Sequence, residues 1–324
     1  MSIPKTLQNT LSLPVICAPM FIISGPELVI AQCKAGVVGS FPALNARPQP
    51  LLGDWLTTIK SELDAYKVEN PQAVIAPYAV NLIVHKSNDR LEQDVNTCIE
   101  HKVPIIITSL RALDPNLVER IHAYGGIIFH DVINIRHAQK AIEAGVDGLV
   151  LVCAGAGGHA GTLSPFALVS EIKQFFDGPI ALSGSIANGS SILSAQALGA
   201  DFAYIGTRFI ATQEANAEQA YKNMLVEHSA KDIVYSSLFT GVHGNYLKPS
   251  ITNAGLDPDD LEQGDKEKMK FGSEGGSKSK AWKDIWGAGQ GLGSIADITD
   301  VATIVARFKA EYDLALSRVN SLNN

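Results

Sequence analysis

Eight short apolar segments, alternating with segments of helical length, limit the folds open to this chain more than any other feature. Their apolar residues run nearly without interruption, which is typical of strands buried on both faces of a parallel sheet. The predicted strands lie at residues 14–20, 36–41, 76–82, 103–109, 126–132, 148–154, 179–185 and 202–209. Helical periodicity between them predicts helices that include residues 26–35, 89–102, 115–124, 135–144, 165–176 and 190–198.

The strands and helices alternate at a spacing of roughly 25 residues, as in a βα repeat. Gly36, Gly145 and Gly199 each stand between the end of a helix and the start of a strand, where a left-handed helix cap is expected. Eight such units favour a (β/α)8 TIM barrel, with an open doubly wound sheet as the alternative. We predict this α/β barrel over residues 1–213.

The pattern loosens beyond the eighth predicted strand. Helical periodicity at 214–227 and 295–322 predicts a C-terminal extension, residues 214–324, whose helices and loops pack on the barrel. Residues 263–280 are rich in glycine, serine, lysine and glutamate, with almost no apolar side chains. This segment is predicted to be a mobile surface loop, and the sequence leaves open whether it acts as a lid.

The composition argues against several classes of protein. The 324 residues carry a formal net charge of −7 and show no basic cluster, so a nucleic-acid partner is not expected. No apolar run is long enough to span a bilayer, and the first residues lack the pattern of a signal peptide. The four cysteines are widely separated, which predicts reduced thiols in a cytoplasmic protein. Oligomerisation is left open.

The ends of the predicted strands point to the functional site, because TIM barrels carry their reacting groups on loops at the carboxyl ends of strands. Candidates there include Asn81, His130 and Asp131. The loops after the last two strands often bind phosphate, and small residues with free amides at 183–185 and 206–207 predict such a site. No metal is expected, since no cluster of ligand residues has the spacing of a metal site.

The most unusual loop follows the sixth predicted strand. The stretch CAGAGGHAGT at 153–162 surrounds His159 with glycine and alanine. Glycine lets the backbone approach a ligand closely, and imidazole titrates near neutral pH. A loop histidine that merely bonds a carbonyl group would show the same pattern, so the rest of the sequence has to decide.

Several motifs together resemble the nitronate monooxygenase family, formerly called 2-nitropropane dioxygenases. They are PM at 19–20, VNL at 80–82, AGAGGHAG at 154–161, LSGSIANG at 182–189, AQALGADFAYIGTRFIATQE at 195–214 and GAGQG at 287–291. The resemblance runs in order from about residue 14 to 210, with the GAGQG motif beyond. In combination these motifs are specific to the family, but not to one activity within it.

The resemblance implies a TIM barrel that binds FMN, with His159 facing the reactive edge of the flavin as the catalytic residue. The residues expected along the isoalloxazine ring are Ala18, Pro19 and Met20. Further cofactor contacts are expected from Asn81, His130 and Gln290. The phosphate is expected to be bound by Ser183, Gly184, Ser185, Gly206 and Thr207.

Two features depart from the family pattern. Asp131 stands where many relatives have a lysine, which puts a cationic contact to the flavin from this position in doubt. The segment SLFTGVHGNYL at 237–247 differs from the better-known members. Because this segment follows the barrel, we expect it to shape the substrate pocket through His243, Asn245 and Tyr246.

The family's activity implies that a small molecule is the substrate: an alkyl nitronate, with nitroalkanes as further candidates, oxidised by FMN and O₂ to a carbonyl compound and nitrite. Protonated His159 would orient an anionic nitronate, whereas neutral His159 would take the α-proton of a nitroalkane. The alternative is an NAD(P)H-dependent flavin reductase acting on a quinone or an enoyl thioester. A phosphosugar-type barrel enzyme without flavin is a more remote one.

Overall fold

The chain forms a barrel of eight parallel strands in a computed structural model that describes residues 4–262 and 284–322. The strands are β1 (Val15–Cys17), β2 (Gly39–Pro42), β3 (Tyr78–Val84), β4 (Ile105–Leu110), β5 (Ile127–Val132), β6 (Gly148–Val152), β8 (Ile180–Ser183) and β9 (Phe202–Ile205). Their order in the sheet is β1-β9-β8-β6-β5-β4-β3-β2. A parallel bridge between Ile16 and Val38 joins the two ends of this order, so the sheet closes.

The predicted TIM barrel is therefore confirmed, and each predicted strand has an observed counterpart. Most of the observed strands are shorter than predicted, because the chain leaves the sheet before the apolar run ends. β1, for instance, ends at Cys17, three residues before the predicted end. The predicted mobile loop at 263–280 lies outside the described residues.

Helices cover the outside of the barrel. The first seven are α1 (Pro26–Lys34), α2 (Leu51–Glu69), α3 (Leu91–Glu100), α4 (Pro115–Ala123), α5 (Ile135–Glu143), α6 (Pro165–Ile172) and α7 (Gly189–Leu198). The long helix α2 is not among those predicted above. The others follow their sequence signals: in α7, for example, Asn188 caps the start and Gly199 ends the helix with a φ of 106°.

The barrel interior is filled by apolar side chains that point inward from alternate strand positions. Phe129 and Phe202 pack edge to face there, with ring centroids 6.2 Å apart. Leu7, from a short turn before β1, belongs to the same cluster. Since the interior is packed, a ligand site has to lie at the mouth, where the carboxyl ends of the strands open into loops.

The chain beyond β9 returns to the barrel in two ways. Its helices are α8 (Thr207–Ile210), α9 (Gln219–Glu227), α10 (Lys248–Asn253) and α11 (Val301–Ser321). Helix α11 contacts both α7 and α1, where an eighth barrel helix is expected. A small antiparallel sheet joins β10 (Ile233–Ser236) and β11 (Gly244–Leu247) to β7 (Gly158–His159) in the histidine loop. The division of the chain at residue 213 stays a prediction.

In the described part of the chain, none of the helices combines the length and the apolar character needed to cross a bilayer.

All four cysteines, Cys17, Cys33, Cys98 and Cys153, are free and buried. Burial raises the pKa of each of these thiols.

Gly189 makes a close contact between α7 and α11 that a larger residue should disrupt. A Cβ at this position would lie 2.2 Å from Phe308 O and 2.3 Å from Tyr312 N. Because these are backbone atoms, we expect Gly189→Ala to lower the free energy of unfolding by roughly 2–3 kcal/mol. Urea denaturation followed by circular dichroism measures the change.

The matched control is Gly53→Ala in α2, where the nearest heavy atom to a new Cβ would be His101 Nε2, at 3.5 Å. Alanine inside a helix is favoured over glycine, so this variant should be about 0.5–1 kcal/mol more stable than the parent. Equal destabilisation by the two substitutions would contradict a specific contact at Gly189.

Candidate active site

The residues predicted to lie along a flavin ring follow β1 and lie close to the end of β9, where Gly206 was predicted to bind the phosphate. Ala18 and Met20 follow β1, and Gly206 follows β9. A Cβ at Gly206 would lie 3.3 Å from Ala18 Cβ and 3.7 Å from Met20 Sδ. Ala18 N–H donates to Ile205 O at 2.8 Å, while Pro19 lies between Ala18 and Met20 in this turn. A small apolar surface therefore faces the backbone of the β9 loop.

The glycine–glutamine motif interlocks with the loops that follow β6, β8 and β9. Gly155 O accepts hydrogen bonds from the N–H groups of Gln290, at 2.9 Å, and Ser185, at 3.3 Å. Gly289 N–H donates to Thr207 Oγ1 at 2.9 Å. The predicted cofactor residues Ser185, Thr207 and Gln290 are thus brought together through hydrogen bonds to Gly155 and Gly289.

The turn after β8 has a backbone that suits glycine. Gly184 has a φ of 133°, and a Cβ there would lie 2.8 Å from Ala154 O. The next residue, Ser185, has a φ of 58°, which is uncommon for serine. Such conformations persist where the surrounding structure fixes them, and they cluster at ligand sites.

The loops after β8 and β9 carry neutral side-chain donors. Ser183, Ser185 and Thr207 contribute hydroxyl groups, and main-chain N–H groups accompany them. Arg208 is buried and turned away, because its guanidinium donates to Asp297 Oδ1 at 2.8 Å. A phosphate ester bound here would be held by hydroxyl and amide groups, as the sequence predicts for these loops.

Asn45 was not predicted from sequence, yet it holds the turn after β1. Its Nδ2 donates to Met20 O at 3.0 Å and to Ser24 O at 2.8 Å. Its Oδ1 accepts from Ile22 N–H at 2.9 Å, and Ile22 has a φ of 69°. The position of Asn45 shortly after β2, at the mouth, is the signal that could have marked it.

His159 is fixed by the small sheet and by Thr240. It pairs with Gly244 of β11, and its Nε2 lies 2.9 Å from Thr240 Oγ1. Thr240 Oγ1 donates to Val242 O at 2.9 Å, so its single proton is already used and it accepts the proton of His159 Nε2. Burial lowers the pKa of His159 to about 4. The imidazole is therefore neutral at neutral pH.

The three residues predicted to reach the substrate belong to the framework around His159. Asn245 is buried, and its Nδ2 donates to Ala156 O at 2.7 Å. Tyr246 is buried as well, and burial raises the pKa of its phenol to about 12. His243 is half-buried and stacks on Tyr235, with ring centroids 5.0 Å apart. Substrate contact by these residues stays a prediction.

A chain of hydrogen bonds crosses the mouth from β3 to β5. Asn81 Nδ2 donates to Ile107 O at 3.1 Å and to Ser109 Oγ at 2.8 Å. Since the carbonyl can only accept, it fixes the orientation of the Asn81 amide. Ser109 Oγ in turn donates to Asp131 Oδ2 at 2.6 Å. Burial raises the pKa of Asp131 to about 7, and the Ser109 hydrogen bond opposes this only in part.

His130 is not brought together with the other predicted cofactor residues. Its neighbour Phe129 points into the barrel core, and adjacent strand residues face opposite sides. The His130 Nδ1 lies 2.6 Å from Thr108 Oγ1, and burial, with a smaller effect of His137, lowers the pKa of His130 to about 4. The predicted cofactor contact of His130 has no support in this placement.

Solved structures share the whole fold. A nitroalkane oxidase from Streptomyces ansochromogenes superposes with a TM-score of 0.80 at 20% identity, covering 97% of this chain and 100% of the other. FabK from Thermotoga maritima superposes with a TM-score of 0.77 at 21% identity, covering 99% and 100%. At this level of identity the likeness establishes the barrel, not the reaction.

The sequence comparisons go further. A nitronate monooxygenase of Paraburkholderia phytofirmans is 24% identical in an alignment of length 285, and the matched region covers 76% of this chain and 76% of the other. A family model described as nitronate monooxygenase matches residues 4–308, nearly the whole chain. The chain therefore belongs to the nitronate monooxygenase family of flavin-dependent oxidoreductases.

Proposed function

We propose that this protein uses bound FMN and O₂ to oxidise alkyl nitronates, and nitroalkanes by way of them, to a carbonyl compound and nitrite. The observation that carries the proposal is the direct contact between the histidine loop and the neutral donors at the mouth. A Cβ at Gly157, two residues before His159, would lie 3.0 Å from Thr207 Oγ1 and 2.8 Å from Gly289 N. The loop that carries His159 thus lies against the expected phosphate site, in a chain that belongs to the nitronate monooxygenase family.

The residues at the mouth fit FMN. Ser183, Ser185 and Thr207 offer hydroxyl donors for a phosphate ester, and Ala18 and Met20 offer an apolar wall for a flat ring. Both amide protons of Asn81 are already donated, so any contact of Asn81 with the cofactor would use its carbonyl oxygen. When bound, FMN would supply the two-electron acceptor for the oxidation.

The charge state of His159 favours one of the two roles considered from sequence. A pKa near 4 leaves the imidazole neutral at pH 7 before a substrate binds, which favours the neutral role over the cationic one. A neutral imidazole can accept the α-proton of a nitroalkane and hold the resulting nitronate in place. We therefore assign His159 as a base, with Thr240 fixing its tautomer.

The experiment that tests the proposal measures oxygen uptake by the FMN-loaded protein on addition of a small alkyl nitronate. A parallel sample receives NADH alone. Fast uptake with the nitronate, accompanied by nitrite, and none with NADH would support the proposal. Bleaching of the flavin by NADH without oxygen, together with no uptake on nitronate, would replace it by the NAD(P)H-dependent reductase.

Two other predictions from the sequence concern the class of enzyme and the location of the protein in the cell. The non-flavin phosphosugar enzyme considered from sequence does not stand, because the family consists of flavin oxidoreductases. We also propose a cytoplasmic location, which the four free, buried cysteines support, since reduced thiols are typical of that compartment.

A further inference from the structure

The hydrogen-bond chain at the mouth has a defined direction, and it ends at Asp131. Ser109 Oγ accepts an amide proton of Asn81, so its own proton is donated to Asp131 Oδ2. A proton on the Asp131 carboxyl is therefore carried by the other oxygen, Oδ1. This atom is shielded from solvent and has no hydrogen-bond partner within residues 4–262 and 284–322.

Asp131 lies on the inward face of β5. Phe129, two residues earlier on that face, is part of the barrel core. The polar or titratable groups that face Asp131 from the packed strands are Ser109, Asn81 and Tyr204. On β6 the paired residue is the apolar Val150. Burial accounts for the raised pKa of Asp131, and the Ser109 hydrogen bond opposes this rise only in part.

We propose that Asp131 is a proton-carrying group of the flavin site, which presents a carboxylic proton at Oδ1 while the cofactor is reduced and releases it when the cofactor is oxidised. This inference rests on the proposed FMN site. Two electrons that enter the flavin add negative charge at the mouth, and nearby negative charge favours the neutral carboxyl.

The balance of the step is simple. The two electrons come from the reducing substrate, and the proton that Asp131 binds comes from solvent. Each two-electron reduction therefore takes up one proton more than the cofactor alone requires. Reoxidation by O₂ removes the two electrons, and the Asp131 proton returns to solvent.

The test is the midpoint potential of the bound flavin as a function of pH, measured with dithionite as the reductant across the neutral range. In the parent protein we expect the uptake of up to one additional proton per two electrons, at pH values between the pKa of Asp131 beside the oxidised flavin, about 7, and its higher pKa beside the reduced flavin. Asp131→Asn, which cannot release a proton, should lack this additional uptake. Asp54→Asn, on the exposed side of α2, removes a carboxylate elsewhere and should leave the pH dependence unchanged.

A second variant, Ser109→Ala, predicts the direction in which the pH of the additional proton uptake shifts. It tests the proposal by itself if Asp131→Asn does not fold. The Ser109 hydrogen bond stabilises the carboxylate, so its loss should move the additional proton uptake to higher pH. The proposal is overturned by the same pH dependence in the parent and Asp131→Asn, or by a shift to lower pH in Ser109→Ala.

The potentials are measured without nitronate, so the two proposals fail separately. An additional proton that depends on Asp131, in a protein that does not oxidise nitronates, would refute the substrate and leave the role of Asp131 intact. Nitronate oxidation without that proton would refute the role of Asp131 alone.

Discussion

Replacing His159 by asparagine is expected to leave FMN bound while lowering turnover of a nitroalkane by roughly 10²–10⁴-fold, the usual contribution of a positioned general base. Asparagine keeps a polar side chain but cannot take a proton. The flavin cradle is formed by other residues, so the absorption spectrum of the bound cofactor should not change. Steady-state oxygen uptake and flavin content, measured on the same preparation, check both parts.

The control is His122→Asn on the outer helix α4, where His122 lies 2.9 Å from Asp147. This variant removes a histidine far from the mouth and should retain the parent turnover. If His159→Asn also retains the parent turnover, the histidine has no part in the reaction. The glycine-rich motif around it would then only determine the backbone conformation of the loop.

The pH dependence separates the two roles of His159. His159 has a pKa of about 4, so kcat/KM should not depend on its protonation near neutral pH. As the pH falls toward 4, kcat/KM should decrease, because a protonated imidazole accepts no proton. A cationic role predicts the opposite sign, with activity rising as the pH falls. The profile measured with nitroalkane, in a pH range where the protein stays folded, decides between them.

The sequence was sufficient to predict the barrel because buried parallel strands leave a strong signal of continuous apolar residues. It overestimated the length of most strands for a physical reason. Residues such as Met20 and Ser185 continue an apolar or small-residue run, but their backbone has already left the sheet. Only the pairing of neighbouring strands shows where a strand ends, and a single sequence does not display that pairing.

The site could be predicted in part. Strand ends of a barrel meet at one mouth, so Asn81 and Asp131 were both candidates for the site. The direction of the hydrogen bonds that link them through Ser109 depends on Ile107 O and could not be predicted from sequence. The partner of His159 is Thr240, 81 residues later in the chain. That contact depends on how the C-terminal region folds back, for which local periodicity carries no signal.

Gly184→Ala should cause the largest loss of flavin affinity among the substitutions considered. Gly184 has a φ of 133°, where a side chain is strained, and its Cβ would lie 2.8 Å from Ala154 O. The backbone must shift, which separates the β8 turn from the histidine loop. The loop of the variant relaxes by moving away from the conformation that binds phosphate, and FMN binding has to restore that conformation. A strain of about 1–3 kcal/mol corresponds to a rise in the Kd for FMN of roughly 5- to 150-fold.

Titration of the apoprotein with FMN, followed by quenching of flavin fluorescence, measures the Kd, and thermal unfolding of the apoprotein shows whether the fold survives. Ser185→Gly is the matched control, because glycine relieves the left-handed conformation at the adjacent position without adding an atom. It removes one hydroxyl donor, so its Kd should rise by less than that of Gly184→Ala. Unchanged affinity in Gly184→Ala, with a folded apoprotein, would place the phosphate elsewhere and leave the β8 turn with a purely structural role.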